Sequence, residues 1–180
     1  DRIAVFEIIE VNQDQHCRYH ATARTYDYFI HWEKDPVLIN CSSFYEGLAV
    51  NFDLMKKAAA LILETKDFRA LCKQPDLYKN TFCRITKSEI FVNEEQGRLR
   101  FSITSNRFLR GMIRICVFFL LEVGKGNITL EEFQQILNQE KKWAIKPAHP
   151  NGLFLSKVEY PFLELKDSHH LIRMLKVGLE

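Results

Sequence analysis

A strand hairpin that runs straight into a helix of changing polarity constrains this chain most. From Arg98 to Thr104 the residues alternate, with Leu99, Phe101 and Ile103 on one face and Arg98, Arg100 and Ser102 on the other. That is the period of a strand, and it predicts the first set inward and the second outward. Residues 82–92 supply the partner strand across the polar turn Asn93-Glu94-Glu95-Gln96-Gly97. The spacing then becomes helical. Ser105 or Asn106 can cap a helix that runs to about Val123 and stops at Gly124-Lys125-Gly126. Its second half, residues 115–121, is apolar nearly all round, so it is expected to be buried.

The remaining elements fit around that unit. Residues 3–11 are rich in β-branched and aromatic side chains and read as a strand, residues 12–15 as a turn, and residues 18–32 as a second strand. Asp53 is the expected N-cap of a helix through Glu64 that buries Leu54, Ala58, Leu61 and Ile62. Thr129 and Glu132 make a capping box for a surface helix ending near Lys142, and a last strand covers residues 153–160. Strands and helices without regular βαβ alternation indicate an α+β fold: a mixed, largely antiparallel sheet with helices packed on it.

Composition excludes several classes. With 180 residues, 47% of them hydrophobic, the chain can build a real core. The cysteines, Cys17, Cys41, Cys72, Cys83 and Cys116, are odd in number and lack a Cys-x-x-Cys pair, which fits reduced thiols in a cytoplasmic protein. His16, His20 and His31 have no partners at ligand spacing, and the adjacent His169 and His170 cannot share one metal, so no metal site is expected. There is no apolar run long enough for a bilayer, no Gly-rich phosphate loop and no nucleophile elbow. The opening at Asp1 without a methionine reads as a cut from something longer, and Leu179-Glu180 is compatible with a cloning remnant.

A formal net charge of +2 is too small to announce nucleic-acid binding, so a site for it must rest on local clustering. Two segments supply such clusters. Along the strand, alternation places Arg24, Tyr26 and Tyr28 on one face. In the expected helix, Arg107, Arg110 and Arg114 recur at spacings of three and four, on one stripe. Rings for stacking beside guanidinium groups suit single-stranded or flipped-out nucleotides. A Tyr-x-Tyr also fits cross-strand packing, and a charge run also fits a solvated helix face. Arg24 beside both rings argues for a face that is wet or meets an anionic partner, and Arg114, next to the buried half of its helix, demands an anionic partner.

The chain resembles the C-terminal part of the tRNA pseudouridine synthase A family. The family's His-x-Arg-Phe-Ser-Ala-Thr-x-Arg-x-Tyr-x-Tyr appears as His16, Arg18, Tyr19, His20, Ala21, Thr22, Arg24, Tyr26 and Tyr28. Its Asn-x-Phe-x-x-x-Met-Val-Arg, leading to Val-Gly-x-Gly, appears as Asn106, Phe108, Met112, Ile113, Arg114, Val123, Gly124 and Gly126. Asp67-Phe68 and the closing Gly152-Leu153 through Val158 and Tyr160 follow in the family's order.

The resemblance implies half of a pseudouridine synthase fold and a uridine isomerase that needs no cofactor. In the family an aspartate of an Arg-Thr-Asp motif attacks the nucleoside, the glycosidic bond breaks, and the uracil turns and rejoins through carbon. Tyr26 is implied to lie against the flipped base and Arg114 to pair with that aspartate. Arg18, Arg24, Tyr28, Asn106, Arg107 and Arg110 are the expected RNA-binding residues, tRNA the partner, and a homodimer the full-length form. No Arg-Thr-Asp occurs here, Phe118 stands where the family has a small glycine, and Leu71 replaces an aromatic. The chain is therefore read as the C-terminal portion, residues 1–180, of such an enzyme, with the aspartate-bearing N-terminal portion absent and no activity alone. A non-catalytic RNA-binding paralogue and a protein-interaction domain are the alternatives.

Overall fold

Strand register organises the molecule, which a computed structural model describes over residues 3–5, 7–164, 173 and 175–179. Strand β1 (Ala23–His31) lies at the centre of a five-stranded sheet. One edge pairs antiparallel with β4 (Arg98–Ser105), which pairs in turn with β3 (Ile85–Asn93). The other edge pairs antiparallel with β5 (Leu153–Glu159) and, at its end, parallel with the two-residue β2 (Ser43–Phe44). The sheet is thus mixed and largely antiparallel, as expected of the α+β class.

Alternation then sorts the side chains. Tyr28 and Ile30 of β1 and Leu99, Phe101 and Ile103 of β4 enter one core beneath helices α1 (Phe52–Glu64), α2 (Met112–Gly124) and α3 (Leu130–Leu137). The opposite face carries a smaller cluster, in which Phe29, Leu38, Cys41, Leu175 and Leu179 pack with Phe91 and Phe154. That second layer corrects the outward reading of Arg100 and Ser102, which are only 6% and 3% exposed. Arg100 lies 4.1 Å over the Phe91 ring, with its Nη1 3.9 Å from the buried carboxylate of Asp27. Lys176 reaches the same carboxylate at 3.3 Å.

Helix ends depart from expectation where a neighbouring segment competes for the cap. Asn51, not Asp53, caps α1: its Oδ1 accepts the Leu54 N–H at 3.0 Å, and Asp53 sits in the first turn, where its charge suits the helix dipole. The capping box of α3 forms as expected, with Thr129 and Glu132 exchanging bonds of 3.0 and 3.1 Å. That helix ends at Leu137, before Gln139 turns left-handed. Helix α2 begins only at Met112. Neither Ser105 nor Asn106 caps it, because Asn106 instead prolongs the hairpin: its Oδ1 accepts the Arg84 N–H at 2.8 Å and its own N–H reaches the Arg84 carbonyl. Residues 106–111 form a loop closed by Gly111 at φ +74°, so Arg107, Arg110 and Arg114 do not share a helical stripe.

Two further corrections concern the N-terminal residues. Within 3–11 the described residues are irregular and exposed, Ile3 at 89% and Ile8 at 91%. Strand propensity is realised only against a pairing edge, and no described strand lies beside them. The strand expected over 18–32 starts at Ala23, because residues 16–20 turn, with the His20 N–H on the His16 carbonyl. His169 and His170 lie outside the described residues. Among the described residues no helix is long and apolar enough to cross a membrane.

Asp27 lies beneath the second layer at ion-pair distance from Arg100 and Lys176. Asp27→Ala leaves Arg100 buried without that partner and is expected to cost about 3–5 kcal/mol, measured by urea denaturation. A loss below about 1 kcal/mol would show that the second layer does not depend on the pair.

Candidate functional site

Tyr26, two residues before the core residue Tyr28 and on the same face of β1, lines a cleft of about 310 Å³. Phe108, the 109–114 segment, Tyr78 and Leu153 complete its lining. Phe108 meets Tyr26 edge to face, with ring centroids 5.2 Å apart at 85°, which fixes the Tyr26 ring. The volume is at the lower end of the roughly 300–1,000 Å³ typical of small-molecule clefts, so it has room for one nucleotide rather than a duplex.

Arg114 stands in the first turn of α2 and faces the same cleft. Its Nε donates to the Ala148 carbonyl at 2.5 Å, while the Ala148 N–H donates to the Arg114 carbonyl at 3.0 Å. The segment that carries Ala148 is itself anchored on the sheet. The Tyr28 hydroxyl donates to the His149 carbonyl at 2.6 Å and lies 2.8 Å from Ser43 Oγ, which in turn accepts the Gly152 N–H at 3.1 Å. Burial pushes the hydroxyls of Tyr28 and Tyr45 upward, against the pull of the Arg114 cation, so both stay protonated beside it. Among the described residues no carboxylate pairs with Arg114, and its Nη atoms make no hydrogen bond.

The other expected site residues divide into three groups. Tyr28 is corrected: it is wholly buried, so its ring offers no face to RNA and serves as the anchor just described. Arg24 and Asn106 join the N-terminal segment to the hairpin. The Arg24 guanidinium donates to the carbonyls of Asn106 at 2.9 Å, Ala21 at 3.3 Å and Arg18. Its expected anionic partner is thus replaced, in this structure, by three carbonyl oxygens. Arg18 is exposed, 5.7 Å over the Tyr19 ring. Arg107 and Arg110 flank the cleft on the 106–111 loop, and Tyr78, beneath both, carried no signal in the sequence because it lies in an irregular stretch without periodicity.

An aromatic pair beside a guanidinium with no carboxylate partner among the described residues offers stacking and charge of the kind a flat, anionic ligand requires. Comparison with known proteins gives the class a name. Residues 58–161 match the tRNA pseudouridine synthase family, to which the chain belongs. It is 34% identical over 166 residues to tRNA pseudouridine synthase A of Porphyromonas gingivalis and 35% identical over 161 residues to that of Bacteroides fragilis. Each match covers 88% of this chain and 63% of the relative. The same protein of Acetivibrio thermocellus is 33% identical over 162 residues, with 66% of its length covered. The chain therefore spans a little under two thirds of the length of the curated relatives it matches.

The backbone of the Arg114-anchoring segment passes close to β1 at one point. A Cβ at Gly152 would stand 2.2 Å from the Phe29 carbonyl oxygen and 3.0 Å from Ser43 Oγ. Gly152→Ala is expected to destabilise the fold by about 1–3 kcal/mol or more, read as a lower urea midpoint at unchanged m-value. A midpoint equal to wild type would mean that the segment moves freely off the sheet.

Proposed function

We propose that this chain supplies the tyrosine and arginine side of the active site of a tRNA pseudouridine synthase, which isomerises uridine to pseudouridine. The observation that carries the reading is the placement of Tyr26 and Arg114 on one cleft, with the Arg114 fork unpaired among the described residues. In this reading the uracil of a flipped-out uridine lies against Tyr26, whose ring Phe108 holds in place. The Arg114 fork receives the carboxylate of the aspartate nucleophile, for which a planar pair of donors is the matching geometry. Ala148 fixes the guanidinium through Nε and so leaves that fork oriented before the partner arrives.

The chemistry requires a nucleophile that takes C1′ of the ribose as the C–N glycosidic bond breaks and is released as C5 of the uracil bonds to C1′, with a proton lost from C5 and one gained at N1. No Arg-Thr-Asp motif occurs among the 180 residues, so the nucleophile is assigned to a part of the whole protein outside them. Arg18, Arg24 and Asn106 shape the RNA-facing rim; Arg107 and Arg110 contact phosphates.

Tritium release from tRNA labelled at uridine C5 tests this directly. The 180-residue chain alone is expected to release none, whereas the full-length protein releases it stoichiometrically. Release by the chain alone, or none by the full-length protein, would overturn the assignment. In the full-length protein Arg114→Lys is expected to reduce the single-turnover rate by about a hundredfold or more, since a point charge does not reproduce the fork. Tyr26→Phe is expected to keep tRNA affinity within about twofold while slowing turnover, if the hydroxyl moves a proton; an unchanged single-turnover rate would reduce Tyr26 to a stacking platform.

A further inference from the structure

The loop that carries Arg107 and Arg110 is tied to the hairpin through Asn106, and both arginines make contacts with residues 73–80. The Tyr78 hydroxyl accepts the Arg110 N–H at 3.0 Å, and the Arg107 guanidinium carbon lies 5.7 Å from the Tyr78 ring centroid. The Arg110 carbonyl accepts the Lys73 N–H at 3.0 Å, and the Arg110 side chain donates to Gln74 Oε1. Arg107 Nη1 also reaches Asn80 Oδ1 at 3.5 Å. Tyr78 thus contacts both arginines, and it lines the cleft shared by Tyr26 and Arg114.

We propose that Tyr78 is a positioning residue, which holds Arg107 and Arg110 as a two-armed phosphate clamp for the RNA strand beside the nucleotide in the cleft. The inference rests on the RNA-modifying reading above and deepens it. The local charge agrees with an anionic strand. Lys73, Lys79, Arg107 and Arg110 lie on these two segments, and their one acid, Asp76, is already paired with Arg69. A guanidinium within about 6 Å of a ring face is held by the ring quadrupole while its outer N–H groups remain free to donate. The backbone bond from Arg110 to the hydroxyl fixes the loop that aims both side chains. Tyr78 therefore acts on affinity through the arginines and takes no part in bond making.

The test is a double-mutant cycle on the full-length protein, with an unmodified tRNA transcript as probe. Dissociation constants are measured from low to physiological salt, single-turnover tritium release is measured at saturating tRNA, and thermal melting confirms folding. Tyr78→Leu and Arg107→Ala are each expected to weaken binding about two- to fivefold and to make the log–log salt dependence shallower by about one phosphate contact. The double variant is expected to be no weaker and no shallower than the more affected single variant. Tyr78→Phe keeps the ring and loses the hydroxyl, so it is expected to keep the Arg107 contribution and fall between wild type and Tyr78→Leu. The saturated rate is expected to stay within about twofold of wild type in all four.

Additive losses with an unchanged salt slope in Tyr78→Leu would overturn the proposal and make Tyr78 a base-stacking residue. A slower saturated rate at unchanged affinity would overturn it and place Tyr78 in the chemistry. If the wild-type protein isomerises no uridine, the functional reading fails, yet the affinity cycle still decides whether Tyr78 positions the clamp.

Discussion

The register of β1 is the constraint on which the rest depends. Adjacent residues of this strand have three different tasks: the pleat turns Asp27 under the second layer, while on the opposite face Tyr26 lines the cleft and Tyr28 lies in the main core. A slip of one residue would exchange the faces and carry the Asp27 carboxylate into the core beneath the helices. Ladder bonds on both edges and apolar layers on both faces exclude that slip. The bulge in β5, between the partners of Thr25 and Tyr26, sits where the strand passes from the interior to the cleft. Bulges commonly re-aim a side chain at such a junction.

The second dependency is the 148–152 segment, which has no regular structure of its own. It is held by Tyr28 and Ser43 from the sheet, by Arg114 from α2, and by the close passage of Gly152 over Phe29. The aromatic strand motif and the arginine helix motif, far apart in sequence, thus meet through a third segment that neither motif contains. Residues that look like binding groups in isolation are partly consumed by this task. Tyr28 gives its hydroxyl to the segment and its ring to the core, and Arg24 gives its guanidinium to three carbonyls.

What the sequence made legible follows from the range of the interactions involved. The inward set of the hairpin strand, the capping box at Thr129 and the glycine stop of α2 are local, and each appears as expected. The unbroken apolar half of α2 also reads correctly, because a helix apolar all round has no other stable environment. Errors arise where a distant segment decides. Asn106 lost its cap role to Arg84 across the hairpin, and Arg100 lost its outward position to a C-terminal layer that no periodicity in β4 announces. In the site, Tyr26 and Arg114 were visible through motif and spacing. Tyr78 was not, since its relation to both arginines exists only after residues 73–80 fold back onto the 106–111 loop.

Arg100 and Arg114 show how burial separates a cation enclosed within the chain from one whose outer donors remain open among the described residues. Arg100 lies under the second layer, with Phe91 stacked on it and Asp27 within ion-pair distance, so the desolvation of its charge is offset inside the chain. Arg114 is half-exposed and spends one donor on Ala148, and its remaining donors find no described acceptor. A cation in the first position is costly to disturb and gains nothing from a ligand. A cation in the second is stable as it stands, yet it gains from any carboxylate or phosphate that displaces its water, because the anchored side chain has little freedom left to lose. An orienting bond on one side of a guanidinium, with an open fork on the other, is the arrangement expected of a group held ready for an external anion.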